Sequence, residues 1–262
     1  MTRACGPLAA ALLAVVVGCT VPGFLLPTHE LLRDVYVRGA ATSPAVALTF
    51  DDGPNGRCTE AVLDALAAHG APATFFVLGA NVAGGRNDEL LARMVHEGHV
   101  IGIHSYSHGV RALFWESNTA RELRAAAAEV EVALRRAGVS DPAPVTLFRP
   151  PFGFLTAASA RAAAAAGMHI VEWTVSVGDW RSSQRAEDVS TAILSQVRAG
   201  DVIVLHDGFG THQRSIERCV DRARASEAVR LLIPGLTARG LQVVPLTTLF
   251  GLAPPSSPPH DV

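Results

Sequence analysis

The chain of 262 residues has no lysine: all 22 of its Lys-plus-Arg total are arginine. Alongside abundant alanine, this reads as base-composition bias in the coding DNA and carries no chemistry of its own. Those arginines are balanced by 24 acids, leaving a net charge of -2. Without excess positive charge the chain has no electrostatic footprint for nucleic acid. Cysteine is scarce, with only Cys5, Cys19, Cys58 and Cys219, and no Cys-x-x-Cys spacing occurs. That argues against a zinc site built from thiolates. No domain linker and no internal repeat is visible. The apolar run from Leu8 to Val17 is too short to span a bilayer comfortably.

That run does fit an export signal, with Arg3 as a short positive flank. It ends in Val16-Val17-Gly18-Cys19, which is similar to a bacterial lipoprotein cleavage site, where the cysteine becomes the lipidated first residue. An ordinary signal peptide with an incidental cysteine is the equal alternative. Residues 1–18 are therefore expected to be a signal peptide and 19–44 a linker and N-terminal segment. The protein would be exported, and either secreted or anchored by lipid to the membrane. Cys58 and Cys219 remain as a pair that an oxidising compartment would allow to bridge. Sequence alone does not say whether they approach.

A hydrophobic fraction of 49% is ample for one core. From about residue 45, short apolar runs alternate with helical patterns. Strands are expected at Val46–Phe50, Thr74–Leu78, Val100–Ile103, Val145–Phe148, His169–Trp173, Val202–Leu205 and Leu241–Pro245. Helices are expected at Thr59–His69, Asp88–Glu97, about 118–137, 157–166, 187–197 and 221–239. Strand, helix, strand throughout means parallel βαβ units with right-handed crossovers. Seven or so units suit a barrel better than an open sheet. Residues 251–262 are rich in proline and serine and read as a disordered tail.

Polar residues recur just past these strands, at the end where α/β barrels carry their active sites. Thr49-Phe50-Asp51-Asp52-Gly53-Pro54 sets two carboxylates side by side, an arrangement that needs a cationic neighbour. Alone, it reads as a turn with two solvated acids. His104-Ser105-Tyr106-Ser107-His108 can present two imidazoles to one ion if the segment makes a helical turn. With one aspartate it completes a three-ligand set, which leaves a position open as catalytic zinc requires. Arg149-Pro150-Pro151-Phe152-Gly153 places an arginine at a strand mouth, where it binds an anion or pins a carboxylate. Trp173 to Trp180 offers one acid, Asp179, between two aromatics, and His206 again follows an apolar strand.

Together these motifs, in this order from Thr49 to Asp207, resemble the polysaccharide deacetylase family. This is carbohydrate esterase family 4, which shares its homology domain with the rhizobial chitooligosaccharide deacetylase. The resemblance covers roughly residues 46–250 and implies a single α/β domain, 45–250, folded as a distorted (β/α) barrel of about seven parallel strands. It also implies roles. Asp52, His104 and His108 would hold the metal, zinc by default with cobalt or nickel as alternatives. Asp51 would be the general base, paired with Arg149, which keeps it ionised and oriented. The Phe152 N–H would face the oxyanion, Leu205 would line the acetyl methyl pocket, and His206 would be the general acid. Trp180 and Asp179 belong to the remaining motif, in which Ser176 stands where the family usually has its first acid. If that acid supports the histidine, His206 would be weaker here unless Asp179 compensates.

The resemblance implies an N-deacetylase acting on an acetylated polysaccharide or oligosaccharide such as peptidoglycan or chitin. An O-acetyl esterase on acetylated xylan is the alternative, and the serine at 176 favours it slightly. A non-catalytic, metal-containing glycan binder is the third reading. A monomer is expected, and no separate carbohydrate-binding module is visible.

Overall fold

The computed structural model describes residues 35–181, 183–210, 219 and 222–252. The export signal, Cys5, Cys19 and most of the proline-rich tail lie outside these residues.

Seven strands form one hydrogen-bonded path. They are β1 (Val35–Tyr36), β2 (Ala45–Asp51), β3 (Thr74–Val77), β4 (Val100–Ile103), β5 (Leu147–Phe148), β6 (His169–Val171) and β7 (Val202–His206). Their spatial order is β1-β6-β5-β4-β3-β2-β7, every pairing is parallel, and β8 (Gln242–Val243) adds to the start of β2. The sheet curls into a distorted barrel. Past β6 the chain crosses to β7, where the N–H groups of Thr174 and Val175 both donate to the Val202 carbonyl at 2.9 and 3.0 Å. Val204 N–H returns a bond to the Val175 carbonyl at 3.0 Å.

The helices α1 (Gly56–Ala67), α2 (Gly79–Val82), α3 (Asp88–His96), α4 (Glu116–Arg136), α5 (Ala157–Ala165), α6 (Ala186–Gln196), α7 (Ala223–Ala238) and α8 (Leu246–Phe250) complete the fold. The apolar faces pack inward: Val62, Leu63 and Leu66 of α1 are fully buried, as are Leu91 and Met94 of α3, while Val95 of α3 is 40% exposed. Asn87 precedes α3 as its cap, with Asp88 its first residue.

Strand alternation sorts the core into two layers. Val46, Leu48, Phe50, Phe75, Ile101, Ile103, Ile203 and Leu205 belong to the large cluster shared with the helices. Ala47, Phe76, Leu147, Val171 and Val202 form a smaller inner cluster with Leu246. Gly102 leaves room for Phe76, since a Cβ at 102 would stand 2.7 Å from that ring.

Several boundaries differ from the sequence reading. β5 and β8 are two residues each where four or five were expected. β1 precedes the expected domain start at 45, and no apolar run announces a two-residue strand. Gly251 and Leu252, placed in the tail, close α8: Gly251 is left-handed (φ 64), and Leu252 N–H donates to the Thr247 carbonyl at 2.9 Å. Cys58 in α1 and Cys219 form a disulfide across 161 residues, with their Cα atoms 4.5 Å apart.

Candidate active site

On four strands the inward-facing row ends on a polar residue at the C-terminal mouth. On β2 the row Ala47, Thr49 ends at Asp51; on β7, Val202 and Val204 end at His206. On β4 and β5, Gly102 and Leu147 lead to His104 and Arg149, one residue past each strand. A cavity of about 470 Å³ opens there, lined among others by Asp51, Asp52, His104, His108, Trp173 and His206.

Arg149 is fully buried and spans the barrel mouth. One guanidinium nitrogen donates to Asp51 Oδ1 and to Thr49 Oγ1, both at 2.8 Å. Its Nε donates to the Val171 carbonyl at 3.1 Å, and its carbon lies 4.1 Å above the Phe76 ring centroid. A side chain held on four sides cannot swing, so the Asp51 carboxylate has one orientation. The backbone carbonyl of Arg149 accepts from His104 Nδ1 at 2.8 Å. A carbonyl only accepts, so that contact fixes the proton on Nδ1 and leaves the Nε2 lone pair facing the cavity. Burial pushes the His104 pKa down to about 3, against the pull of Asp52, so the ring is neutral.

His104 Nε2 and His108 Nε2 lie 3.7 and 3.2 Å from Asp52 Oδ1, and the three ligand atoms all fall within 4.8 Å of one another. Asp52 Oδ1 is buried without a hydrogen-bond partner. At His104 an imidazole lone pair therefore faces a carboxylate lone pair, which is unfavourable unless a cation lies between them. The donor set fits a divalent ion of the kind that takes nitrogen and oxygen ligands.

The two histidines are not presented by a helical turn. Residues 104–109 are irregular, and Ser105 and His108 adopt φ of 74° and 58°. Among the described residues the four non-glycine residues with positive φ are Asp52, Ser105, His108 and Phe152, all at this mouth. Such conformations cost on the order of 1–3 kcal/mol each and persist where surroundings enforce them. Here Glu122 of α4 accepts from the N–H groups of Tyr106 and Ser107 at 3.0 and 2.8 Å. Asn81 Nδ2 donates to the carbonyls of Asp52 and Gly210 at 2.8 and 3.0 Å, tying the loops after β2 and β7. These supports lie on segments with no motif, and no sequence signal marked them.

Across the cavity, His206 is clasped by Asp179. Its N–H donates to Asp179 Oδ2 at 2.9 Å, and its Nδ1 meets Asp179 Oδ1 at 3.0 Å. Burial opposes the imidazolium, but Asp179, with Asp51 and Asp52 behind it, overcomes this and raises the pKa to about 9. Asp179 thus stands where support for the histidine is needed, and Ser176 is a wall residue of the cavity. Of the two alternatives left open by the sequence, the contact favours compensation by Asp179.

Leu205 also needs correction. It faces the helices, fully buried, and the cavity wall on β7 is Val204. Two residues, not one, separate side chains on one face of a strand, so the residue sharing a face with His206 is Val204. Trp180 lines the cavity as expected, its ring 5.0 Å from that of His206, and Phe152 packs at 4.5 Å on His108. The sequence reading missed Phe209 and Arg222, which also line the cavity. It also missed Glu172, whose buried carboxyl is pushed up to about 7 despite Arg149 nearby.

A parallel α/β barrel with an aspartate–arginine pair, a three-donor cation cradle and a carboxylate-backed histidine at its C-terminal mouth suits a hydrolase-type site. Comparison with known proteins gives the family. Residues 38–171 match the polysaccharide deacetylase family model. The chain is 36% identical over 211 residues to a chitooligosaccharide deacetylase of Bradyrhizobium sp. (strain ANU 289), covering 78% of this chain and 90% of that protein. It is 32% identical over 212 residues to a peptidoglycan-N-acetylglucosamine deacetylase of Bacillus cereus, covering 81% and 70%. Among solved structures, the Bc1960 peptidoglycan N-acetylglucosamine deacetylase superposes with a TM-score of 0.72 at 27% identity, covering 88% of this chain and all of that one. The protein belongs to the polysaccharide deacetylase family.

Proposed function

We propose that the protein is a metal-dependent N-deacetylase that removes acetyl groups from N-acetylglucosamine residues of a cell-envelope glycan or chitin-like oligomer. The observation that carries this reading is that Asp51, paired with Arg149, and His206, clasped by Asp179, both line one cavity. Amide hydrolysis needs a base at one end and, because an amine does not leave as an anion, an acid at the other.

Asp52, His104 and His108 would hold the ion, zinc by default, with cobalt or nickel also suited to these ligands. A bound divalent cation would polarise the acetyl carbonyl and make water nucleophilic near neutral pH. Asp51, held by Arg149, takes the proton from the attacking water. The Phe152 N–H faces the oxygen on which negative charge grows; one such donor contributes on the order of 100-fold in rate. Val204 and Trp180 form apolar wall against the acetyl methyl. With Nδ1–H held by Asp179, His206 delivers its Nε2 proton to the departing nitrogen.

The esterase reading rested on a weakened acid, and the Asp179 contact removes that support. Acetate release by zinc-loaded protein from chitooligosaccharides, peptidoglycan and acetylxylan tests the choice. Turnover of acetylxylan alone would reject the N-deacetylase. Among the described residues no helix is long and apolar enough to cross a membrane. Export rests on the leader, and loss of membrane association in Cys19→Ser would support lipidation.

A further inference from the structure

Exposed aromatic side chains are unevenly placed on this protein. Among the described residues the large exposed hydrophobics include five aromatics: Trp115, Phe152, Phe154, Trp180 and Phe209. All five lie on connections leaving the C-terminal ends of β4, β5, β6 and β7, on the face that holds the active site. Of the exposed aliphatic residues, Val110 lies on the connection after β4, and Val37, Val95, Val132 and Leu231 are scattered elsewhere. Phe152, Trp180 and Phe209 border the cavity itself. Trp115 and Phe154 are not among its lining residues, so the cavity does not account for them.

These two are joined through Phe114. Its ring centroid lies 5.5 Å from that of Phe154 and 6.2 Å from that of Trp115. The two loops that carry them are stitched together, since Thr156 Oγ1 donates to the Leu113 carbonyl. Phe154 follows Phe152 by two residues, and Phe152 packs on the candidate ligand His108. An aromatic shelf therefore runs outward from the cation cradle through Phe152 and Phe154 to Trp115, which is 43% exposed. The stretch from Pro150 to Leu155 carries no charged side chain.

We infer that this shelf is an extended glycan subsite, on which sugar rings beyond the one being deacetylated stack. The inference rests on the proposed deacetylase function and names the form of its substrate, a neutral polymer or long oligomer. A cavity of about 470 Å³ encloses only a small-molecule-sized part of such a chain. The remainder must leave over the rim, and the shelf is continuous with that rim. Pyranose rings have apolar C–H faces and polar edges. A flat aromatic surface satisfies the faces and leaves the edges in water, and large exposed apolar patches mark binding sites. The absence of charge from that stretch, with Glu116 beside Trp115 neutralised by Arg161, suits an uncharged chain.

Chain-length dependence tests the inference. In Trp115→Ala and Phe154→Ala, kcat/KM for a chitohexaose should fall by about tenfold, mostly through KM, while kcat/KM for the chitobiose is unchanged, since remote stacking is uniform binding. Binding is read separately from turnover by tryptophan emission of the zinc-loaded protein, with the hexaose quenching wild type more than Trp115→Ala. Equal loss on short and long substrates would make these residues structural, and no loss on either would remove the subsite; both results overturn the inference. Quenching by phosphatidylglycerol vesicles but not by the hexaose would overturn it in favour of a lipid surface. If wild type releases acetate from no glycan, the deacetylase reading fails with it. If wild type is active and the variants match it at every length, only the subsite fails.

Discussion

Replacing Asp179 by asparagine keeps the shape of the side chain against His206 and removes its charge. In the native protein the pKa of His206 rises from 6.5 to about 9. Burial acts first and lowers it; Asp179 is the largest influence in the other direction, through its charge and its hydrogen bond, ahead of Asp51 and Asp52. The interval corresponds to about 3 kcal/mol in favour of the imidazolium. Because the folded pKa is the higher one, this stabilisation is fully present below 6.5 and is lost as pH rises through about 9. In Asp179→Asn the largest raising influence is gone, so the imidazole should titrate below its native value. The alkaline limb of kcat/KM on a chitooligosaccharide should therefore move to lower pH in the variant. Urea unfolding between pH 6.5 and 9 should show the wild type losing about 3 kcal/mol from this group, with most of that slope gone in the variant. An alkaline limb at the same pH in both proteins would refute the reasoning, as would an unchanged stability slope.

Asp51→Asn should retain the metal, because Asp52 is the proposed ligand, yet lower turnover by roughly 100-fold or more; metal content measured on the assayed sample separates the two effects. His104→Ala should lose metal and activity together, and a variant with full metal content by mass spectrometry would reject the three-ligand cradle. The Cys58–Cys219 bridge closes a loop spanning 161 residues. Its removal in Cys58→Ser should lower unfolding free energy by about 2–5 kcal/mol, read from urea midpoints. A midpoint identical to that of the wild type would show that the crosslink contributes nothing.

The barrel was legible because its strands are buried on both faces and read as continuous apolar runs. That same continuity hid which residues face inward. Val204 and Leu205 look alike in an apolar strand, and the methyl-pocket assignment fell on the wrong one. Short strands were poorly legible: β1 and β5 hold two residues each, and hydrogen bonds to neighbouring strands define them more than their own composition. The catalytic motifs stood out as polar residues directly after apolar runs. The geometry of His104 and His108 did not, since their left-handed turn is imposed from outside by Glu122 and by the Ser105 Oγ contact with His108 N–H at 2.9 Å. Ser176 misled for a related reason. A missing acid in a motif is visible in sequence, but that Asp179, three residues on, already grips both the ring and the backbone of His206 is visible only in space.

Strand register explains how motifs far apart in the chain make one site. In the β2–β7 pairing Asp51 is the partner of His206, so the proposed base and acid sit on adjacent strands at the same height. In the β4–β5 pairing Ile103 is the partner of Phe148, which sets His104 beside Arg149. The bond from His104 to the Arg149 carbonyl follows from that register, as does the inward reach of Arg149 to Asp51. Sheet order places β7, β2, β3, β4 and β5 in succession, so His206, Asp51, His104 and Arg149 follow round the mouth in that order. Arg149 then closes the circuit across the mouth, orienting Asp51 with its side chain and His104 with its backbone. A shift of one residue in the first register would turn Asp51 or His206 towards the helices, and in the second it would part His104 from Arg149. The separation of Asp51 from His206 is therefore set by the sheet, whereas His108 and Asp179 are placed by loops.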